Sequence, residues 1–138
     1  MFLKTSIDKK QKEIEINRIC GKSFSLFHKL NHKIFGSPKY KILNTSPHLA
    51  HLKNSNETIC CNLELRKKGV ILYFRFKQDE YAICGRYNQT VFQSSDNIFE
   101  IQIANDLIKA EILHLKSHHK FIANFLKLKN ESINFKYD

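Results

Sequence analysis

Glycine and proline are scarce in this chain, with 4 Gly and 2 Pro among 138 residues. So few chain-breakers exclude a linker-rich or low-complexity architecture. No Gly-rich phosphate loop, G-x-G-x-x-G turn or nucleophile elbow is present, which removes the common nucleotide-binding and hydrolase signatures. Long apolar runs are also missing: no stretch approaches the roughly 20 residues that a membrane-crossing helix needs. Lys4 interrupts Met1-Phe2-Leu3 before a signal-peptide core develops, so the expectation is an intracellular, cytoplasmic chain. Cysteine is limited to 4 residues, and Cys60 and Cys61 are neighbours that point to opposite faces of a strand. A disulfide framework is not expected from such a pattern. Asn-x-Ser/Thr triplets begin at Asn44, Asn56, Asn88 and Asn130, and in an Asn-rich intracellular chain they read as coincidence.

What the chain does have is a packed-core composition, 42% hydrophobic and 12% aromatic, in the size of one domain, 1–138. Its clearest stretch is 58–129. Ile59, Cys61, Leu63 and Leu65 alternate with Cys60, Asn62, Glu64 and Arg66, the period of a half-buried strand over 58–66. Gly69 breaks the pattern after Lys67-Lys68 and opens Val70-Ile71-Leu72-Tyr73-Phe74-Arg75-Phe76, apolar on both faces and therefore expected as a central strand. Tyr81 to Tyr87 form a third strand that Gly85 bends. Further strands follow around Val91, over Phe99-Ile103 and over Ile108-Ile112. Connections this short make consecutive strands antiparallel neighbours. A helix capped by Ser117, with Phe121, Ile122, Phe125, Leu126 and Leu128 on one stripe, is expected to cover the sheet.

The basic region 1–57 is less regular. Glu13-Ile14-Glu15-Ile16 alternates and favours a strand. Ser23 opens a helix in which Phe24, Phe27, Leu30 and Ile34 recur at helical steps, with Gly36 and Pro38 as the stop. A short strand around Tyr40 and Ile42 precedes one long loop, 44–57. The fold class is thus α+β: a curled antiparallel meander of about six or seven strands closed by a C-terminal amphipathic helix, with an additional N-terminal helix.

Charge carries the main functional signal. Residues 1–70 hold 14 basic and 5 acidic side chains, whereas residues 71–138 hold 9 and 8. The basic excess points to an anionic partner: a membrane surface or an acidic protein, with nucleic acid as the alternative. Candidate anion-binding residues are Lys29, Lys33, Arg66, Lys67, Lys68, Arg75 and Lys77. The membrane version requires Phe24, Phe27, Leu30 and Ile34 to be partly exposed beside Lys29 and Lys33. The nucleic-acid version requires exposed rings, for which Tyr40, Tyr73 and Tyr87 are the candidates.

Signals for chemistry are weaker. His48 and His51 form an H-x-x-H that Cys60 or Cys61 would complete as a zinc site, yet the spacing is not that of the usual paired knuckles. His28 and His32 have the i, i+4 spacing of a shared metal but lack the glutamate of a zinc protease, Lys29 standing in its place. Cys84, next to Gly85 and Arg86, is the candidate nucleophile of a small enzyme, provided that a histidine joins it in a pocket. No cofactor is expected, and oligomeric state is not legible, although a strand edge beside Gly85 would favour pairing with a second copy.

The meander and C-terminal helix resemble the pleckstrin-homology-like superfold over about 58–129. That resemblance implies a curled, partly open barrel plugged by the helix, and an anionic headgroup, peptide or protein as ligand. Arg66, Lys67 and Lys68 at a hairpin tip, with Arg75 and Lys77 after them, are similar to the basic residues by which many members hold phosphoinositides. A cone-like α+β fold with a ligand pocket is the competing architecture.

Overall fold

The computed structural model describes residues 1–33, 36–47, 49 and 57–135. Among these residues eight strands form one antiparallel sheet: β1 (Phe2–Lys4), β2 (Tyr40–Thr45), β3 (Cys60–Leu65), β4 (Gly69–Phe76), β5 (Asp79–Arg86), β6 (Thr90–Ser95), β7 (Ile98–Ile103) and β8 (Asp106–Ile112). Their spatial order is β1-β5-β4-β3-β2-β8-β7-β6. The helices are α1 (Lys9–Cys20), α2 (Leu26–His32) and α3 (Leu115–Phe135).

The expected meander is therefore two meanders. Strands β3, β4 and β5 pair in sequence, and so do β6, β7 and β8, but β5 and β6 are not neighbours. A 3₁₀ turn at Tyr87–Gln89 carries the chain from one group to the other. Strand β2 joins them, with Tyr40 opposite Cys61 on one side and Ile112 on the other. The short strand expected around Tyr40 and Ile42 is β2, and β1, which sequence periodicity does not mark, raises the count to eight.

The sheet is not closed but strongly curled. Although four strands separate β5 from β7 in the sheet, Ile103 lies so close to Gly85 that a Cβ there would sit 2.7 Å from its Cγ2. A glycine is what allows that approach. The inner face holds Leu63, Leu72, Phe74, Ile83, Tyr87, Phe99, Ile101 and Ile108, over which α3 lays Phe121, Phe125 and Leu128. Helix α3 begins two residues before Ser117, and Leu126 faces outward rather than joining the buried stripe.

Residues 13–16 belong to helix α1, not to a strand. Four alternating residues are too few to outweigh the longer spacing of Ile16, Ile19 and Cys20, which α1 buries on the outer face of β4 and β5 against Ile71, Ala82 and Cys84. Ile14 points to solvent, and Arg18 pairs with Glu15 at 2.8 Å. With α1 behind it and α3 in front, β4 is covered on both faces, as its unbroken apolar run requires. Among the described residues no helix is long and apolar enough to cross a membrane.

Candidate functional site

Helix α2 starts at Leu26, later than Ser23, because the side chain of Ser25 accepts the His28 N–H at 3.1 Å and so caps it. Lys33 ends it in the left-handed conformation, φ 55°. Within these seven residues none is buried. Leu26, Phe27 and Leu30 are 72%, 78% and 59% exposed, and their spacing puts all three on one side of the helix. Behind them Phe24 stacks on His28 at 4.6 Å and His28 on His32 at 4.3 Å. This ladder of three rings supports α2 from the side away from the apolar ridge, and Phe24 itself is half-buried against the core.

Two cations flank the ridge. Lys29 lines a hollow of about 210 Å³ with Gly36, Glu64 and Tyr73. Lys33 stands over a larger cavity of about 590 Å³ between the end of α2 and helix α3, where Ser117, Lys120, Phe121 and Asn124 form the opposite wall. Asn124 closes one side by donating to the Lys33 carbonyl at 3.0 Å. An exposed apolar ridge thus adjoins a cavity that carries two lysines and two small polar side chains. Lys120 was not singled out by the sequence; its place on the first turns of α3 opposite Lys33 is a tertiary fact.

The other candidates are scattered. Arg66 is not at an exposed tip: it is 5% exposed. Its guanidinium bonds to Glu64 at 3.1 and 3.3 Å, to Asn17 Oδ1 at 2.7 Å and to the Gly21 carbonyl at 3.0 Å. Alternation put Arg66 on the wet face, but α1 crosses that face and encloses it. Lys67 and Lys68 remain exposed at the β3–β4 turn. Arg75 and Lys77 lie at the far end of β4, about 20 Å away by strand rise. Arg75 approaches Glu80 at 3.7 Å, and the Lys77 ammonium rests over the Phe76 ring at 5.4 Å.

Tyr40 and Tyr87 are fully buried and offer no ring to a base, since both belong to the inner core. Tyr73 is half-buried, and its hydroxyl donates to Glu64 at 3.1 Å. Ile34, His48 and His51 lie outside the described residues. Among those described, no group of three or more His, Cys, Asp or Glu side chains is placed to hold a metal.

Cys84 and Arg86 do share a hollow, of about 360 Å³, together with Met1, Arg18, Ile19, Asn88, Gln89 and Ala104, but no described histidine lines it. Cys84 shares its buried cluster with another thiol, that of Cys20. The neighbouring Cys20 thiol holds the Cys84 thiol below its usual range, aided by the Met1 amino group, Arg66 and Arg18 and opposed by burial. No protein-family model matches this chain, and no curated protein does.

Proposed function

We propose that this protein is a non-enzymatic docking module for an anionic membrane surface. The observation that carries the reading is the exposure of Leu26, Phe27 and Leu30 beside Lys29 and Lys33. Three large apolar side chains on one short helix have no reason to face water in a folded core. At an interface they enter the boundary between headgroups and acyl chains, while the adjoining lysines meet lipid phosphates. Partial burial of the three contributes on the order of 3 kcal/mol, and each nearby lysine roughly 1 kcal/mol. The sum corresponds to weak, reversible attachment.

The arrangement of strands is in keeping with a pleckstrin-homology-like architecture. Strands β2 to β5 make one run of four, β6 to β8 a run of three, and α3 follows directly and covers the inner face. The basic hairpin of that resemblance contributes only Lys67 and Lys68 here, because Arg66 is enclosed. The cavity between Lys33 and Lys120 is the better candidate for a phosphorylated headgroup.

The test is flotation of the protein with phosphatidylcholine vesicles that contain or lack phosphatidylserine, at low and physiological salt, with excess DNA as competitor. The reading expects flotation only with the anionic vesicles, retained at physiological salt and in the presence of DNA. Flotation abolished by DNA would move the basic face to nucleic acid. No flotation in any condition, with no salt-sensitive DNA binding, would reject both.

A further inference from the structure

Beyond the docking face, the closing of α1 onto the sheet brings together two free thiols that are 64 residues apart in the chain. Cys20, the last residue of α1, points into the outer-face cluster and is fully buried. Its Sγ lies 3.6 Å from the carbonyl of Val70 and 3.6 Å from that of Gly85, the residue bonded to Cys84. The space for it comes from a missing side chain: a Cβ on Gly69 would stand 3.0 Å from the Cys20 sulfur and 2.2 Å from the Gly85 carbonyl oxygen. Cys84 belongs to the same cluster, so both side chains pack between the end of α1 and the outer face of β4 and β5.

We propose that Cys20 and Cys84 are a peroxide-oxidisable pair whose disulfide staples α1 to the sheet. Cys84 is as fully buried as Cys20, but it forms part of the wall of the hollow lined by Met1, Arg18, Arg86, Asn88 and Gln89, and peroxide would have to reach it from there. The two sulfurs are unequal: Cys84 borders the hollow and Cys20 does not line it. The proximity of Cys84 and burial push the Cys20 thiol up, while Cys20, the Met1 amino group and Arg66 hold the Cys84 thiol below its usual range against burial. A thiolate is the nucleophile in this chemistry.

The steps balance with hydrogen peroxide as oxidant. The Cys84 thiolate attacks one peroxide oxygen, the O–O bond breaks, hydroxide leaves and Cys84 becomes a sulfenic acid. Cys20 sulfur then attacks that sulfur. Its proton neutralises the departing hydroxide, and the net change is two thiols and one peroxide converted to one disulfide and two waters. Reduction by a dithiol reverses it. The remaining cysteines serve as internal controls: Cys61 is buried with its thiol pushed up to about 12 by burial, and Cys60 points to the other face of β3.

The experiment treats the folded 138-residue chain with limiting hydrogen peroxide, alkylates the remaining thiols and maps peptides without reduction. The expected product has Cys60 and Cys61 alkylated and one cross-linked peptide pair joining Cys20 to Cys84, lost on adding dithiothreitol. The oxidised protein should melt about 10 °C higher than the reduced one, since the link closes a long loop. In Cys20→Ser the sulfenic acid has no second thiol, so dimedone should label Cys84; in Cys84→Ser it should label neither position. Alkylation of all four cysteines after peroxide, or a cross-link through Cys60 or Cys61, would overturn the proposal on the native chain alone. Absence of dimedone adduct at Cys84 in a folded Cys20→Ser protein would overturn the order of steps.

Discussion

The hydroxyl of Tyr40 lies 2.6 Å from Nδ1 of His118, and the opposite ring nitrogen of the same histidine lies 2.6 Å from Ser94 Oγ. One imidazole thereby ties β2, α3 and β6 together, edge-on to the rings of Tyr40 and Phe99. Burial pushes the Tyr40 phenol up, so it stays neutral. A neutral third group lacks the negative charge that stabilises an imidazolium in a serine hydrolase triad, and the bond network here is a clamp on the helix.

His118→Ala leaves the Tyr40 hydroxyl buried without its partner and opens a gap beneath α3. The expected cost is about 3 kcal/mol. Urea denaturation of the purified variant checks it, and His118→Gln, which keeps one hydrogen bond, should recover part of the loss.

Stability should also fall in mild acid. Burial, and then the nearby charge of His119, hold the His118 pKa below its unperturbed 6.5. The unfolded chain therefore takes up a proton first. The contribution is complete above about pH 6.5, is lost as pH falls through the folded-state value, and levels off below it. Denaturation midpoints at pH 7.5 and pH 5 should differ, and His118→Gln should reduce that difference. An equal acid loss in wild type and variant would assign it to other groups.

Arg66 is the test of structure against ligand binding. Its guanidinium satisfies Glu64, Asn17 and the end of α1 from an enclosed position. Arg66→Met should destabilise by on the order of 3 kcal/mol, because Glu64 keeps a partly enclosed charge with only the Tyr73 and Ser23 hydroxyls left. Vesicle flotation of the folded fraction should be unchanged. A selective loss of flotation would return Arg66 to the docking face.

The opposite pattern is expected on α2. Phe27→Asp should lower vesicle partitioning about tenfold, and Lys29→Ala with Lys33→Ala should make what remains more sensitive to salt. Phe27 is so exposed that the melting temperature should hardly move. Equal partitioning of wild type and Phe27→Asp would remove α2 from the interface.

Much of the sheet was legible because strand periodicity is local. Leu63 and Leu65, or Val70 through Phe76, announce their faces within a few residues. The join between the two meanders was not: Tyr40 and Ile112 are neighbours through long-range pairing, and nothing near either residue states it. Residues 13–16 misread as a strand for the same reason, since the surface that selects Ile16 and Cys20 as a helical stripe lies on β4 and β5. For the site, the membrane reading required Phe24, Phe27, Leu30 and Ile34 to be partly exposed: Phe27 and Leu30 are exposed, Phe24 is half-buried against the core, and Ile34 lies outside the described residues. The Lys33–Lys120 cavity and the cluster shared by Cys20 and Cys84 were illegible, as each is made by elements distant in sequence.

Strand β2 sets an order of events during synthesis. Its partner β3 emerges soon after it, and β3 to β5 can zip through local hairpins. The other seam waits: Tyr40 to Thr45 pair with Ile112 to Ile108, which leave the ribosome nearly 70 residues later. Until then β2 presents a bare edge, and Tyr40 has no His118 to meet. A ribosome stalled before β8 should therefore expose a protease-sensitive, chaperone-accessible half-sheet, and release of the last helix should bring protection to the whole chain at once.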